Sequence, residues 1–546
     1  MSDCATRVLA DAATTAAAVA TTTTAPVADA ARELIAGLGL RPWGQVAASV
    51  YETGRLVAVA PWLTGDHQRI AFLLRGQRPD GAWGPPEGYA LVPTLSATDA
   101  LLAALADGRA GTELLAPVAR GLGALVGTLL PGDARNLPDT PALDLIVPAL
   151  VDTINDRLAG LERATAARLP RPPLPLPTGL TRDRLRAVRS AVAAGTTLPP
   201  KLAHFYEILD AVPTDAGPTL TAIGASPAAT AAWLTAAGPA AGPTAHAFLR
   251  ALIRDGGGPV PCPAPITVFE RAWVLSGLHR AGITINPPAS VLESLTAATA
   301  GQGIATGDGL PTDADTTAVS LVALARLGRP ADPASLWAYE TADGFCTWPG
   351  EDGFSVTTNA HVLDAFGQRL TRHPDAGERY HRAVDRLSAV LTGHQRADGA
   401  WQDRWHASPY YATACCVLAL AEFGRGAAAA EAVDRAAGWV LNSQRPDGSW
   451  GRWDGTAEET AYALQVLLTV PTTVPRVDDA VARGHAYLHE SADREHPPLW
   501  YGKELYCPTV IVSAAVLAAC RLASIRASGV DRSVVDCGYR STKTAT

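Results

Sequence analysis

The chain has 546 residues, more than one ordinary domain holds, so we expect two or more domains or one internally repeated architecture. Hydrophobic residues make up 48% of the chain and aromatic residues only 6%, with Ala and Leu prominent, which favours helices over a β-sandwich. The formal net charge of −8 argues against a general nucleic-acid binder, because such a protein needs a basic face.

The cysteines and the two ends of the chain predict a cytoplasmic protein. The eight cysteines form no Cys-x-x-Cys pair, so we interpret them as reduced thiols. Residues 1–28 lack the basic start and the Leu-rich core of a secretory signal. No apolar run reaches the length of about 18 residues that a transmembrane helix needs. We therefore expect disordered segments at 1–28 and 527–546 and no integral membrane segment.

A short motif recurs along the chain and predicts a helical repeat. After an amphipathic helix near residues 27–40, the sequence Gln-Arg-Pro-Asp-Gly-Ala-Trp occupies 77–83. The same spacing returns at 395–401 and 444–450, with a degenerate copy, Ala-Asp-Gly-Phe, at 342–345. Steps of roughly 50 residues suit a pair of helices with its turns, so the array is stacked or circular. We expect Gln to bond the start of the following helix, Asp-Gly to make the turn and Trp to cover the seam, a structural role.

Residues 91–264 keep a helical pattern without this repeat and predict a second helical domain. Proline-rich breaks interrupt the pattern at 169–177 and 238–243. Asp144 and His204 are the polar residues that stand out within it.

The stretch 308–321 places two carboxylates, Asp313 and Asp315, between a Gly-Leu-Pro turn and an apolar run. One interpretation is an acidic helix N-terminus, where carboxylates suit the exposed N–H groups. The other is a carboxylic acid at the wall of an apolar cavity, where a neighbouring like charge raises one pKa and keeps a proton available for donation. The stretch alone does not decide between them.

Several dispersed motifs, taken in order, make the chain from about 45 to 525 resemble the class II terpene cyclases, in particular the bacterial diterpene cyclases of the copalyl diphosphate synthase type. Besides the repeats, these motifs lie at 49–53, 224–231, 268–273, 313–318, 355–363, 405–413 and 500–508. The resemblance implies an all-α fold of two α/α double barrels, called γ and β. It places the N-terminal part of β at 29–86, the inserted γ domain at 87–265 and the rest of β at 266–526.

The resemblance also implies an isomerase-type enzyme that starts cyclisation by protonating an alkene. The general acid of the family's Asp-x-Asp-Asp motif corresponds to Asp315 and its supporting carboxylate to Asp313, while Thr316 replaces the last Asp. Asn359 corresponds to an Asn that hydrogen-bonds the catalytic carboxyl. His204 corresponds to a His that, in the plant ent-copalyl enzymes, holds the water acting as terminal base. Cys262 stands where those enzymes have the partner Asn, and a thiol cannot position a water as an amide does, so that deprotonation route is not assumed.

Such chemistry needs aromatic side chains around the carbocation. It also needs Lys or Arg side chains that bind the diphosphate without promoting its loss from the substrate. The candidate wall residues are Trp348, Phe354, Trp405, Tyr410, Tyr411 and Tyr506. The candidate diphosphate contacts are Lys503, Lys201, Arg55 and Arg404, of which the lysines are notable because Lys occurs only at 201, 503 and 543. Mg²⁺ is the expected cofactor, with Asp144 as its candidate ligand.

The leading hypothesis is a class II diterpene cyclase that converts geranylgeranyl diphosphate to a bicyclic diphosphate, which passes to a downstream class I synthase or another tailoring enzyme. Alternatives are a farnesyl diphosphate cyclase giving drimenyl diphosphate, a squalene-hopene-type cyclase, and a non-catalytic helical-repeat binding scaffold. A class I reaction is not expected, because Asp478-Asp479 is followed by Ala-Val-Ala and not by the spacing that ionisation of the diphosphate needs. The oligomeric state stays open, with a homodimer as one possibility.

Overall fold

The structure is a computed structural model that describes residues 26–162, 168–170, 173–196, 198–213, 220–238, 241–299, 301–351, 353–470 and 475–528. The segments 1–28 and 527–546, predicted to be disordered, lie almost wholly outside the described residues. Residues 26–28 belong to the first helix and residue 527 ends the last one.

The described part of the chain is all-α, as predicted, with two hairpins of two-residue strands. The helices of the first half are α1 (26–37), α2 (Val50–Val59), α3 (Asp66–Arg75), α4 (Leu91–Ala106), α5 (Leu115–Ala124), α6 (Leu143–Gly160), α7 (Asp183–Ala193), α8 (Pro227–Ala237) and α9 (Pro243–Asp255). Those of the second half are α10 (Thr267–Arg280), α11 (Ala289–Ala298), α12 (Ala314–Arg326), α13 (Val356–Arg372), α14 (Glu378–Gly393), α15 (Pro409–Phe423), α16 (Ala427–Asn442), α17 (Ala457–Thr469), α18 (Pro475–Glu490) and α19 (Thr509–Ala527). The antiparallel hairpins pair β1 (Ile304–Ala305) with β2 (Thr312–Asp313) and β3 (Trp500–Tyr501) with β4 (Leu505–Tyr506).

The second half of the chain is a closed α/α barrel. Six inner helices pack in the order α10, α12, α13, α15, α17 and α19, and α19 packs back on α10 to close the ring. Helices α11, α14, α16 and α18 pack outside them. Because an inner helix has neighbours on both sides and an outer helix behind it, it is apolar nearly all round, as α15 is.

The first half forms a second, smaller ring. Its inner elements are α2, α4, α6, the 3₁₀ segment Pro200–Ile208 and α8, with α8 returning to α2. Helices α3, α5, α7 and α9 pack around this ring. The two-barrel prediction is therefore matched by the packing.

The predicted boundary at residue 86 is wrong, because segment 29–86 contributes to both barrels. Ile35 and Leu38 at the end of α1 pack in the core of the second-half barrel, whereas Tyr51, Val57 and Trp83 pack in the core of the first-half barrel. The resemblance to the family assigned this whole segment to the β domain. The segment 37–44, with three glycines and one proline, instead ends α1 and carries the chain from one barrel to the other.

The repeat motifs are structural, as predicted. Trp83, Trp401 and Trp450 are fully buried, and each indole N–H donates to a helix carbonyl, that of Leu73, Leu391 or Val440, at 2.7–2.8 Å. Contrary to the prediction from the sequence, the Gln amide does not bond the start of the following helix. It donates to the Gly carbonyl of its own turn and to a carbonyl within the next outer helix, as in the Gln444 bonds to Gly448 and Ala480 at 2.9 Å.

Two helical stretches, Glu87–Ala106 and Thr509–Ala527, are long and apolar enough by length and composition to cross a membrane. They contain α4 and α19, which are inner elements of the two barrels, and 89% and 67% of their apolar windows are buried. Core helices of this kind pass the same test, so the finding is weak evidence for a membrane span.

The repeat predicts a stability cost for removing one indole N–H. Replacing Trp450 by Phe removes the indole donor of the Val440 carbonyl, which keeps only its bonds from Ser443, and leaves a gap beside Leu464 and Gly484. We expect the free energy of unfolding to fall by about 1–3 kcal/mol. Chemical denaturation followed by circular dichroism measures it, with Trp62→Phe as the control, because Trp62 is 41% exposed. Equal denaturation midpoints for the two variants would contradict the structural role of the repeat tryptophan.

Candidate active site

A cavity of about 630 Å³ lies between the two barrels. Its wall combines residues of the first half, such as His204 and Phe205, with residues of the second half, such as Asp315 and Trp405. Both faces of the cavity are therefore needed to enclose a ligand, and its size is within the range of small-molecule sites.

Asp315 lies in the first turn of α12 and faces this cavity. Its Oδ1 is 2.7 Å from Nδ1 of His361 on α13, and the two side chains are only 16% and 11% exposed. Burial alone would lower the pKa of His361, but the charge of Asp315 outweighs it and raises that pKa well above its usual value. The pair is thus a carboxyl and an imidazole joined by a hydrogen bond next to the cavity.

Asp313 is the N-cap of α12, as the interpretation of an acidic helix N-terminus predicts. Asp315, two residues later, lines the cavity, as the interpretation of a carboxyl at a cavity wall predicts. Its Oδ1 accepts from the Thr316 backbone N–H at 2.6 Å, and its Oδ2 lies 3.4 Å from the hydroxyl of Thr306. Burial raises the pKa of Asp313 to about 7, the Thr316 N–H opposes the rise and the charge of Asp315 adds to it. Thr316 lines the cavity, and its hydroxyl lies 3.1 Å from that of Thr306.

The prediction that Asn359 bonds the catalytic carboxyl is wrong. The fully buried Asn359 accepts from the Phe345 N–H and donates to the carbonyls of Phe345 and Ser355, which leaves no bond for Asp315. Phe345 ends the degenerate repeat copy, and its backbone N–H donates to the side chain of Asn359. In the full copies the backbone N–H of the Trp donates in the same way to a threonine hydroxyl, that of Thr94, Thr413 or Thr460. His361, two residues further along the helix, faces the opposite side and takes the role.

His204 lines the cavity from the first-half barrel, as predicted. Its Nδ1 bonds the Gly224 carbonyl, so Nδ1 carries the hydrogen and Nε2 is the free base position. Burial and the charge of Lys503 lower its pKa to about 3, so the ring is neutral at physiological pH. Cys262 is its neighbour, with Sγ 4.0 Å from Nε2.

The prediction that Lys503 contacts a diphosphate is wrong, because its side chain is fully buried in an ion cluster. Its Nζ donates to Glu52 at 2.7 Å, to Glu207 at 2.8 Å and to Ser226 at 2.8 Å. Arg55 is likewise not a ligand contact, since it pairs with Asp99 between α2 and α4 at 2% exposure.

Four of the six predicted aromatic residues line the cavity: Trp348, Trp405, Tyr411 and Tyr506. Phe354 stacks on His394 with ring centroids 4.1 Å apart, and Tyr410 packs on Trp439, so both are wrong as wall residues. Four further aromatic residues line the cavity but were not predicted from the sequence: Phe205, Phe269, Trp500 and Tyr501. The spacing of residues along the sequence does not show which side chains of a short segment face the cavity.

The solvent-exposed part of the cavity wall carries mixed charges. Lys201 is exposed there, Arg184 pairs with the predicted Mg²⁺ ligand Asp144 at 2.8 Å, and Arg404 contacts Asp139 at 3.1 Å and Glu351 at 3.0 Å. Within the described residues there is no cluster of three His, Cys, Asp or Glu that could hold a metal ion by itself.

Comparisons with known proteins agree with this arrangement. The model for the squalene-hopene cyclase C-terminal domain matches residues 352–505. The chain is 40% identical to ent-copalyl diphosphate synthase of Streptomyces sp. (strain KO-3988), covering 89% of this chain and 94% of that protein. It is 42% identical to labda-7,13-dienyl diphosphate synthase of Streptomyces clavuligerus, covering 90% and 92%. The solved ent-copalyl diphosphate synthase from Streptomyces platensis superposes with a TM-score of 0.85 at 43% identity, over 91% of this chain and 100% of that one.

The chain is a class II diterpene cyclase. Its fold, its enzyme class and the resemblance seen in the sequence are thereby confirmed. Asp315 and His204 line the same cavity from opposite barrels. The non-catalytic scaffold alternative is set aside, because the matched relatives over nine-tenths of the chain are named as cyclising enzymes.

The raised pKa of Asp313 predicts the pH dependence of this cyclase. Below pH 7 the carboxyl is neutral, whereas above it a second negative charge beside Asp315 opposes the loss of the Asp315 proton, so kcat should fall as pH rises through about 7. Because the folded pKa lies above the unfolded value of about 3.9, the carboxyl's contribution to stability is full below the unfolded pKa and is lost as pH rises towards 7.

Asp313→Asn should remove this fall, since the amide stays neutral and its oxygen can still cap α12. Profiles of kcat between pH 5.5 and 8.5 measure it, together with unfolding midpoints at both ends of the range. Asp308→Asn is the control, because Asp308 is exposed in the same loop. An unchanged profile in Asp313→Asn would assign the alkaline limb to another group.

Proposed function

We propose that this cyclase converts geranylgeranyl diphosphate to a bicyclic diphosphate and leaves the diphosphate attached. The observation that carries the proposal is the Asp315–His361 pair, whose carboxyl faces a cavity with eight Phe, Trp and Tyr side chains in its wall. The names of the relatives support the substrate class, and since those names differ in the product, they support no single double-bond position.

In the proposed reaction, Asp315 transfers its proton to the distal trisubstituted alkene of the substrate. His361 favours this step because its imidazolium stabilises the carboxylate that forms. The aromatic rings of Trp405, Tyr411 and Trp500 exclude water and offer π density to the cation during ring closure. Tyr411 is held in place by the indole N–H of Trp273 at 3.0 Å.

His204 is the proposed acceptor region for the final proton. Its neutral ring offers Nε2 as a base, since Nδ1 bonds the Gly224 carbonyl. Gly224 also packs against the backbone of His204, because a Cβ there would lie 2.3 Å from the His204 backbone nitrogen. Burial raises the pKa of Cys262 well above its usual value, so the neighbouring thiol stays neutral and does not compete as a base.

The diphosphate is proposed to lie at the exposed part of the cavity, against Lys201, Arg184 and Arg404. The donor set there fits a Mg²⁺ ion that arrives with the diphosphate, since Mg²⁺ is commonly held by one or two carboxylates together with substrate phosphates and waters. Asp144 would hold it after exchanging its partner Arg184, and the ion would neutralise diphosphate charge. A resident ion held by protein ligands alone does not fit the described residues.

The product is proposed to pass to a class I synthase or another tailoring enzyme, because a retained diphosphate is a leaving group for later ionisation. Asp478 and Asp479 support this division, as they lie on the outer helix α18 and pair with Arg526 and Arg483 away from the cavity. A homodimer stays a prediction.

The first test incubates the purified protein with Mg²⁺ and either geranylgeranyl or farnesyl diphosphate, followed by phosphatase and mass spectrometry. We expect a cyclised C20 alcohol, and a loss of at least about 10³-fold in Asp315→Asn because no other buried acid faces the alkene in the same position. The fold of the variant is checked by circular dichroism. A cyclised product from farnesyl diphosphate alone would replace the C20 substrate by the C15 one, and none from either would reject the proposal.

The diphosphate site makes a separate prediction. Lys201→Ala should raise KM for the diphosphate substrate roughly tenfold, about 1.4 kcal/mol, with an unchanged product, since Lys201 lines the cavity at its exposed part. Arg186→Ala is the matched control, because Arg186 is exposed nearby in sequence but pairs with Asp183 and does not line the cavity. Steady-state kinetics at fixed Mg²⁺ measure both, and an equal KM in the two variants would move the diphosphate elsewhere.

A further inference from the structure

A buried carboxylate, that of Glu458, lies behind the aromatic wall of the active-site cavity. Glu458 is in the first turn of α17, and its side chain is fully buried without lining the cavity. Its Oε1 accepts the indole N–H of Trp500 at 2.8 Å and lies 3.2 Å from Nε2 of His406. Because Trp500 does line the cavity, one side chain separates this carboxylate from the substrate space.

The imidazole of His406 bonds this carboxylate as a neutral ring. Its Nδ1 accepts the backbone N–H of Ser408 at 3.0 Å, so Nδ1 carries no hydrogen. The ring therefore holds its one hydrogen on Nε2 and donates it to Glu458. A neutral donor stabilises the carboxylate by hydrogen bonding but leaves its negative charge in place.

The other neighbours of Glu458 leave this charge without a full countercharge. Among the described residues, no Lys or Arg forms an ion pair with Glu458, and Arg452, in the loop before α17, pairs with Glu87. Burial lowers the pKa of His496 although the charge of Glu458 opposes it, so that ring is neutral at physiological pH. Burial and then the charge of Glu458 raise the pKa of Tyr462 well above its usual value, so its hydroxyl stays protonated.

The start of α17 accounts for the burial of this charge. The Thr456 hydroxyl caps the helix by accepting the Glu459 N–H at 3.0 Å, and the Glu459 carboxylate accepts the Thr456 hydroxyl at 2.9 Å. The helix N-terminus favours a carboxylate in this turn, and the N–H donors of Trp500 and His406 add charge-assisted bonds. Glu459 thus serves the cap, whereas Glu458 faces the wall.

The same pair holds two rings of the cavity wall in a fixed orientation. The His406 ring stacks on Tyr411 with centroids 4.7 Å apart and packs edge-on against Trp500 at 5.1 Å. The rings of Tyr411 and Trp500 are themselves 4.6 Å apart. Both line the cavity, so the carboxylate, the imidazole and the two rings form one packed unit behind the substrate space.

A negative charge in this position favours a cation in front of the rings. A carboxylate that accepts an indole N–H increases the electron density of that indole, which strengthens its attraction for a cation over its face. The charge also acts directly, and since the site is buried the attraction is weakly screened. Because the alkene of the substrate is neutral, the attraction arises only as the carbocation forms, so it lowers the barrier without tightening substrate binding.

Resting on the proposed function, we propose that Glu458 is a positioning residue whose buried charge stabilises the carbocation over Trp500 and Tyr411. The charge acts through Trp500, the ring that it bonds, and His406 holds both the carboxylate and Tyr411 in place. Tyr411 lies close to the acid, since burial, Cys415 and then the charge of Asp315 raise the pKa of its hydroxyl well above its usual value. The stabilised cation is therefore the one that forms beside the acid.

The experiment neutralises two adjacent carboxylates of α17 in turn, as Glu458→Gln and Glu459→Gln. Both side chains are buried, but the Glu459 carboxylate bonds Thr456 and the Arg452 N–H and no ring of the described wall. Steady-state kinetics with geranylgeranyl diphosphate give kcat and KM. Isothermal titration gives Kd for two unreactive analogues, one with a protonated tertiary amine at the distal alkene carbon and one with a neutral C–H there. Circular dichroism checks the fold of each variant.

We expect Glu458→Gln to lower kcat roughly 10- to 100-fold and to leave KM within about twofold, because the lost attraction exists only with the cation. Its Kd for the ammonium analogue should rise about tenfold, whereas its Kd for the neutral analogue should stay within about twofold. Glu459→Gln should keep kcat, KM and both Kd values within about threefold of the unaltered enzyme, since Gln can also serve the cap.

An unchanged kcat in a folded Glu458→Gln, or an equal rise of Kd for both analogues, would overturn the inference, since a purely structural role affects charged and neutral analogues alike. If Glu458→Gln does not fold, Glu458→Met removes the charge at similar volume and carries the same expectation. No cyclised product and no binding of either analogue by the unaltered enzyme would instead reject the proposed function, so the two failures are distinct.

Discussion

A buried ammonium group joins the two barrels, between which the active-site cavity lies. Lys503 sits in the turn between β3 and β4 of the second-half barrel and reaches into the first-half barrel, where it meets Glu52 of α2, Glu207 and the α8 cap Ser226. Burial would raise the pKa of Glu52, but Lys503 outweighs it and the pKa is lowered, whereas burial keeps the pKa of Glu207 raised. Lys503 thus meets one carboxylate whose charged form it favours and one whose charged form burial disfavours, and its bonds to both offset part of the desolvation cost of the cluster.

The same cluster shapes the substrate side of the cavity. Glu52 also accepts the Ala228 N–H at 2.6 Å at the start of α8, so the carboxylate that anchors Lys503 fixes the helix that follows Gly224. Gly224 in turn supplies the carbonyl that fixes the tautomer of His204. The inter-barrel contact and the orientation of the His204 ring are thus linked through α8, and a site holds its groups best on elements whose own positions are fixed by packing.

The sequence predicted the elements that repeat and the carboxylates of the acid, and it erred where the same residue type serves two purposes. The Gln and Trp motifs could be recognised because three copies share one spacing. Lys503 was singled out because lysine is scarce in the chain. An ammonium group can serve either as an exposed phosphate contact or as part of a buried ion cluster, and only the tertiary packing shows which of these roles Lys503 has. Asn359 and His361 stand two residues apart, so they face opposite sides of one helix, and which side faced Asp315 was decided by the fourth, degenerate repeat that Asn359 completes.

The two histidines at the cavity show how one chemical group is set to opposite tasks. Burial lowers the pKa of both rings, and the sign of the nearest buried charge then decides the outcome. Asp315 adds a negative charge to His361, whose pKa rises, while Lys503 adds a positive one to His204, whose pKa falls to about 3. With Asp315 as a carboxylate, the neighbouring ring of His361 is held charged, whereas the ring of His204 on the facing barrel is held neutral. This asymmetry fits the proposed roles of acid partner and proton acceptor, because an apolar interior cannot reorganise charge at the speed of a carbocation reaction.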